Sequence, residues 1–206
     1  MLIYHDDEAS PNCLKTKILL YELDAEFEQV SHDFRRGDLR KEPFIGKFPN
    51  AKVPALEDGD IGIAESAAIA LHLAARFDRF LPREPAAKAH AYQAVALEAA
   101  LLAPTIGGQG LFGELGKPEG DRDMGRIESL TAEARRVGDV LARLLADGRD
   151  YFAGSYSIAD MQLFPGLYKT VKHGLIDSPP LAAWAERVAR HSNVARAMAE
   201  YPAYRD

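Results

Sequence analysis

The sequence predicts an α/β domain followed by an all-helical domain, and three observations lead there. Up to Phe77, short strand-like runs alternate with segments of helical period; Asp78 to Pro85 then breaks the pattern with two prolines among mixed charges; beyond it no strand pattern survives. These breaks predict an α/β domain over 1–78, a linker over 79–85 and a helical bundle over 86–206.

Leu2-Ile3-Tyr4 reads as the first strand. After the turn at Ser10-Pro11, apolar Leu14, Ile18, Leu19 and Leu23 recur at helical spacing with Lys15 and Lys17 on the other side, which predicts an amphipathic first helix. Phe27 to His32 reads as a second strand, and Arg35 to Pro49 as a polar connection with a short helical piece around Phe44 and Ile45. Val53-Pro54-Ala55-Leu56, the turn Asp58-Gly59 and Ile61 to Ala64 predict an antiparallel hairpin. A helix from Ser66 carries Ile69, Leu73 and Phe77 on one face, which completes the order βαβαββα.

In the second half, Ala86 to about Pro104 is alanine-rich and helical, and Ile127, Leu130, Ala134, Val137, Leu141 and Leu144 mark a long amphipathic helix. Ser157 to Val171 is apolar nearly all round, as expected of a helix in the middle of a bundle. Further helices carry Leu181, Trp184 and Val188 after Pro179-Pro180, and then Val194 and Met198.

Composition limits the function classes. A net charge of −6 over 206 residues argues against a nucleic-acid partner, which needs clustered Lys and Arg; the run Arg35, Arg36, Arg40, Lys41 is too short to reverse that. No stretch approaches the roughly 20 uninterrupted apolar residues of a membrane span, the N-terminus lacks the apolar core of a signal peptide, and the single Cys13 cannot pair within the chain. The expectation is a cytoplasmic protein without membrane contact. His5, Asp6, Asp7 and Glu8 are consecutive and so poorly placed to converge on one ion; a solvated loop is expected there, and no metal.

The chemistry concentrates at turns. Ser10-Pro11-Asn12-Cys13 lies between the first strand and first helix, where free backbone N–H groups and the helix dipole stabilise an anion. A thiolate is such an anion, and the first position offers a hydroxyl donor in place of the attacking sulfur of a Cys-Pro-x-Cys redox turn. Ser10 is equally suited to be an N-cap and nothing more. Lys52-Val53-Pro54-Ala55-Leu56 places a proline just inside a strand, where an X-Pro bond can be cis and an extended tripeptide could add to the sheet beside Val53. Glu65-Ser66 offers a carboxylate for an amine, and a hydroxyl with helix N–H groups for a carboxylate. Arg40 and Lys41 could pair with a second carboxylate or form a solvated loop. Gly107 to Gly113 could be a mobile flap that brings Phe112 to a substrate, or an ordinary loop.

Taken together, Ser10-Pro11-Asn12-Cys13, Phe48-Pro49-Asn50, Lys52-Val53-Pro54-Ala55-Leu56, Asp58-Gly59 and Glu65-Ser66-Ala67-Ala68-Ile69 resemble the N-terminal domain of glutathione transferases; Gly154, Ser157-Ile158-Ala159-Asp160 and Phe164-Pro165 are similar to the buried capping-box helix of that family. The resemblance implies a thioredoxin-like first domain that binds glutathione as co-substrate and a helical second domain that shapes the pocket for an electrophilic small molecule. It implies that Val53, within Lys52-Val53-Pro54, binds the cysteinyl backbone, that Glu65 and Ser66 grip the γ-glutamyl end, and that Arg40 and Lys41 meet the glycyl carboxylate. Ser10 matches the serine of serine-type classes, while Asn12 resembles the asparagine of a Thr-Pro-Asn turn in bacterial and fungal relatives, so either or both could hold the thiolate. Cys13 corresponds to a buried packing position. The resemblance also implies a homodimer. Conjugation is the default chemistry, with glutathione-dependent disulfide or peroxide reduction, or a non-enzymatic interaction role, as alternatives.

Overall fold

The computed structural model describes residues 1–33 and 36–205, so Arg35, at the start of the polar connection, lies outside the described residues. The chain forms two compact units, one of Met1–Leu81 with His191–Asp206 and the other of Pro82–Arg190. The last segment, which its helical period groups with the bundle, thus packs with the α/β part.

In the first unit the predicted order is observed: β1 (Leu2–Asp6), α1 (Pro11–Glu22), β2 (Phe27–Ser31), α2 (Phe44–Lys47), β3 (Ala55–Asp58), β4 (Ile61–Ala64) and α3 (Ser66–Phe77). The sheet runs β2-β1-β3-β4, with β1 parallel to β2 and antiparallel to β3, and β3 antiparallel to β4. This is the thioredoxin-like arrangement. Gly59, at φ 61°, supplies the left-handed residue that the β3–β4 turn needs.

Side-chain alternation along β1 divides its partners between two faces. The Tyr4 hydroxyl lies 2.8 Å from the Cys13 carbonyl of α1, whereas the His5 ring sits 5.2 and 5.3 Å from the rings of Phe44 and Phe48, around α2.

Three expectations for this unit need correction. First, β1 runs on through His5 and Asp6, and His5, Asp6 and Asp7 are buried rather than forming a solvated loop. Their polar atoms are satisfied inside: Asp6 accepts from Tyr4 (2.8 Å), Gln29 (2.8 Å) and Tyr201 (2.5 Å), and Asp7 caps the Ala9 N–H at 2.9 Å. Second, α1 is buried all round from Cys13 to Leu20, including Lys15 and Lys17. Lys17 survives there because its ammonium pairs with Glu200 at 2.8 Å, donates to Gln29 and lies 5.5–5.7 Å from the centroids of Tyr4, Tyr21 and Phe27. Third, the C-terminal segment supplies part of that cover. Its helix, Ser192–Met198, packs on α1, and Tyr201 reaches Asp6.

The second unit is helical, with α4 (Pro85–Leu97), α5 (Ala103–Ile106), α6 (Leu111–Leu115), α7 (Met124–Leu144), α8 (Ile158–Lys172) and α9 (Pro179–Ala189); the C-terminal helix Ser192–Met198 is α10. Between α4 and α5 the coil widens to a π-type turn over Glu98–Leu102. Pro104 explains it: a proline near the start of α5 cannot donate to the preceding turn, and a wider turn accommodates the lost bond. The run Pro85–Leu115 contains a window apolar enough to cross a membrane by length and composition, and 39% of that window is buried. In this unit α4 packs along α8, whose residues Ile158 to Pro165 are all buried, as predicted for a central helix.

Gly107 to Gly113 is a tightly wound turn. A Cβ on Gly110 would lie 2.2 Å from the Thr105 carbonyl oxygen and one on Gly113 only 1.8 Å from that of Gly108, so these positions admit glycine alone. Phe112, on α6, lies beneath the Lys169 ammonium (4.8 Å to its ring centroid) and beside His173.

Candidate active site

Register brings the candidate residues of the first unit to one end of the sheet. His5 pairs with Ala55, and Ala55 with Ala64, so His5, Ala55 and Ala64 form one row across three strands. The chain leaves this row towards Ser10 after β1, enters it from Val53-Pro54 before β3 and leaves it at Glu65-Ser66 after β4.

Ser10 is the N-cap of α1, with extended backbone and its Oγ accepting from the Cys13 N–H at 3.4 Å. A hydroxyl donates one bond while it accepts others, and the Ser10 O–H has the Cys13 sulfur within its reach. Pro11 occupies the first helical position, where no N–H is required. Asn12 Oδ1 accepts from the Lys15 ammonium at 2.7 Å. Since an ammonium can only donate, this contact fixes which amide atom is oxygen and leaves the Asn12 NH2 as a donor. Cys13 is fully buried, and burial, with the negative charge of Asp6, pushes its thiol far up. The protein therefore brings no reactive thiol to this turn.

At the other end of the row the Val53–Pro54 peptide is cis, and Val53 lies two residues before the first paired residue of β3. Glu65 has φ 73° and ψ 120°, a sparsely populated region for a side-chain-bearing residue that costs about 1–3 kcal/mol. It stands at the N-cap position of α3 without capping the helix, and its Oε1 accepts from Asn50 Nδ2 at 3.1 Å. Ser66, the first residue of α3, is buried. Arg40 ends a short 3-10 turn and is exposed, as is Lys52, while the Lys41 ammonium is held by Asp38 at 2.7 Å.

Sequence reasoning gave no role to Lys15 or Asn50, the partners of Asn12 and Glu65. Spacing signals only the first: Lys15 follows Asn12 by three residues on one helix, the separation at which helical side chains meet.

Two histidines extend the polar network behind the row. Glu57 Oε1 lies 2.9 Å from His5 Nε2, and His5 Nδ1 lies 2.9 Å from His32 Nε2. Lys47, followed by His5, keeps the Glu57 carboxyl below its usual range, so Glu57 accepts from His5 Nε2. Burial, then His5, lowers the His32 pKa, partly opposed by Asp38, Asp7 and Asp6. A histidine held neutral in the fold stabilises fully above its unfolded value of about 6.5, and that stability is lost as pH falls through the lowered folded value. The difference in urea unfolding midpoint between the parent and His32→Gln should thus be level between about pH 8 and 7 and shift against the parent below about 6.5, a comparison in which the protonation of Asp160 cancels. An unchanged profile in that variant would remove His32 from the account.

His32 also lines a cavity of about 420 Å³ with Asp6, Asp7, Glu8 and Glu200. Ser10 and Glu65 do not line it, and its acidic wall is unsuited to an anionic peptide. Among the described residues no group of three or more His, Cys, Asp or Glu is arranged to hold a metal.

Residues 2–75 match the glutathione S-transferase N-terminal domain family. The chain is 30% identical over 207 residues to the disulfide-bond oxidoreductase YghU of Escherichia coli K12, an alignment that covers 91% of this chain and 70% of that protein. The chain belongs to the glutathione transferase superfamily. Among solved structures it resembles Ure2p in complex with glutathione, with a TM-score of 0.86, 25% identity and coverage of 95% of this chain and 97% of that one. It also resembles a glutathione transferase YghU from Streptococcus pneumoniae complexed with glutathione, with a TM-score of 0.85, 28% identity and coverage of 95% and 81%.

Proposed function

We infer that the chain binds reduced glutathione at the end of the sheet marked by the row His5, Ala55, Ala64 and activates its thiol for attack on an electrophilic small molecule. The observation that carries this reading is the register, which gathers Ser10 and Asn12, Val53-Pro54 and Glu65-Ser66 at one end of the sheet. In the proposed arrangement glutathione lies extended beside Val53. Glu65, aimed by Asn50, meets its α-ammonium; Ser66, with the first N–H groups of α3, meets its γ-glutamyl carboxylate; Arg40, Lys41 and Lys52 lie towards its glycyl end. Both neighbours named above are complexes with glutathione.

The sulfur then faces the start of α1, where the Ser10 hydroxyl and the Asn12 NH2 donate to it. The thiolate attacks an electrophilic carbon, the new C–S bond forms as the leaving group departs with its electron pair, and the thiol proton goes to solvent. Cytoplasmic reduced glutathione, the electrophile and a second copy of the chain are the proposed partners.

A second reading has one specific support: the E. coli relative is named a disulfide-bond oxidoreductase. There the same thiolate attacks a disulfide sulfur, one half leaves as thiolate, and a second glutathione resolves the mixed disulfide, so two glutathiones are oxidised as one disulfide is reduced. Turnover of an aryl halide against a glutathione mixed disulfide separates the two readings.

Calorimetric titration tests the shared step. Reduced glutathione should bind the parent chain, and Glu65→Ala should weaken binding about tenfold or more, the scale of one charge-assisted hydrogen bond. Equal affinity in the variant would displace the ligand from this row.

A further inference from the structure

The helical unit carries a smaller recess, distinct from the proposed glutathione row, lined by two arginines and one carboxylate. It has a volume of about 150 Å³ and is lined by His90, Gln93 and Ala94 of α4, Arg143 and Leu144 at the end of α7, and Asp147, Arg149 and Phe152 of the following loop. Arg149 is committed: it grips the Asp147 carboxylate, with Nε 2.8 Å from each oxygen, and its Nη1 donates to His90 Nδ1 at 3.0 Å and to the Phe152 carbonyl at 3.3 Å.

That last pair of contacts sets the character of the recess. A guanidinium has no lone pair to offer, so the His90 nitrogen facing it must accept, and the ring's proton sits on Nε2. His90 therefore presents a donor, beside the guanidinium of Arg143 and the amide of Gln93. Two carboxylates near the recess are already engaged. Asp147 is held by Arg149, and Glu84, the N-cap of α4, accepts from the Ala86 and Ala87 N–H groups at 2.9 and 2.7 Å. Arg143 lies in the last turn of α7, where its charge offsets the negative end of the helix dipole. The remaining wall, Ala94, Leu144 and Phe152, is apolar.

We propose that this recess is a second binding site, for a small organic carboxylate: the carboxylate is held by Arg143, His90 Nε2–H and Gln93, and a compact apolar body rests on Ala94, Leu144 and Phe152. The size sets the class, since about 150 Å³ is well below the roughly 300–1,000 Å³ of pockets for drug-sized ligands and takes one small ring or short chain. Charge sets the sign. With Arg149 and Asp147 neutralising each other, Arg143 leaves the recess cationic, which disfavours an amine.

Titrating the full chain with benzoate, followed by amide chemical shifts, should give saturable changes confined to residues 90–94 and 143–152, with a Kd of about 1 mM or tighter. Benzylamine, of nearly the same shape and opposite charge, should leave those residues unmoved. Arg143→Ala should weaken benzoate about tenfold with only the small drop in thermal midpoint expected from losing a charge at the α7 C-terminus and with glutathione binding unaltered, and Arg143→Lys should recover part of the loss. Equal binding of benzylamine, scattered unsaturable shifts, or an unchanged Kd in Arg143→Ala would each overturn the site.

Discussion

Replacing Asp160 by alanine should cost the chain a large share of its stability. Asp160 is fully buried, and its two oxygens serve four donors: Oδ2 accepts from the Ser157 N–H at 3.0 Å and its hydroxyl at 3.3 Å, and Oδ1 accepts from the Phe152 N–H at 3.1 Å and Trp184 Nε1 at 2.9 Å. With Ser157 it forms a capping box on α8, so one carboxylate closes the central helix, ties down the segment before it and anchors a tryptophan of α9. Burial pushes the carboxyl up to about 6, and the donors, Trp184 first, hold it down from going higher. Removing the side chain leaves these donors in a dry interior, at about 1–3 kcal/mol for each buried group without a partner. Against a total stability of about 5–15 kcal/mol, a loss of about 4 kcal/mol or more is a large share, and it leaves Asp160→Ala barely folded at the low end of that range. Asp160→Asn keeps one acceptor but turns an NH2 towards a donor, so it should fall between. Trp184 is the only tryptophan and lies at this site, so its fluorescence in urea reports the loss directly. A parent-like midpoint for Asp160→Ala would refute the account.

Features with local causes are legible in the sequence, and those with long-range causes are not. The order βαβαββα, the hairpin turn at Gly59 and the capping box at Ser157 are set by residues within a few positions of each other, and each is found where its pattern predicts. The first helix shows the boundary. Its apolar spacing identifies a helix, yet nothing within Pro11–Glu22 indicates that Lys17 is enclosed, because its carboxylate partner is Glu200, far along the chain. The burial of Asp6 likewise depends on Tyr201.

The same holds for the candidate site. Ser10 and the Glu65-Ser66 pair were legible because turn chemistry and helix starts are local signals. Asn50 was not, since its contact with Glu65 is created by the β3–β4 hairpin between them. Lys15 read as a solvated face. Its bond to Asn12 gives it instead the task of setting which way that amide points. The strain at Glu65 was invisible for a different reason: φ 73° is a property of the path from β4 into α3, and glutamate carries no sequence mark of a left-handed backbone.

If the Ser10 hydroxyl holds the glutathione thiolate, Ser10→Ala should lower kcat about tenfold to a hundredfold and leave the glutathione Kd nearly unchanged. A thiol of pKa about 8.5 is mostly protonated at pH 7, and lowering it by about two units is worth roughly 2.7 kcal/mol, which a charge-assisted hydrogen bond of about 1.5–3 kcal/mol at a helix start can supply. The substitution also removes the α1 N-cap, a structural loss of about 0.5–2 kcal/mol that could be mistaken for a catalytic one. Ser10→Gly separates the two, because glycine at an N-cap costs only about a few tenths of a kcal/mol while the hydroxyl is equally absent. On the proposed reading alanine and glycine variants lose the same turnover despite different stabilities, and in both the alkaline rise of kcat/KM moves to higher pH, since glutathione must then ionise with less help. If instead only Ser10→Ala is slow, the hydroxyl acts through the cap. If both are silent and Asn12→Ala is not, the thiolate belongs to the Asn12 amide, and Lys15→Met should share that defect, because without the ammonium nothing fixes which amide atom is oxygen.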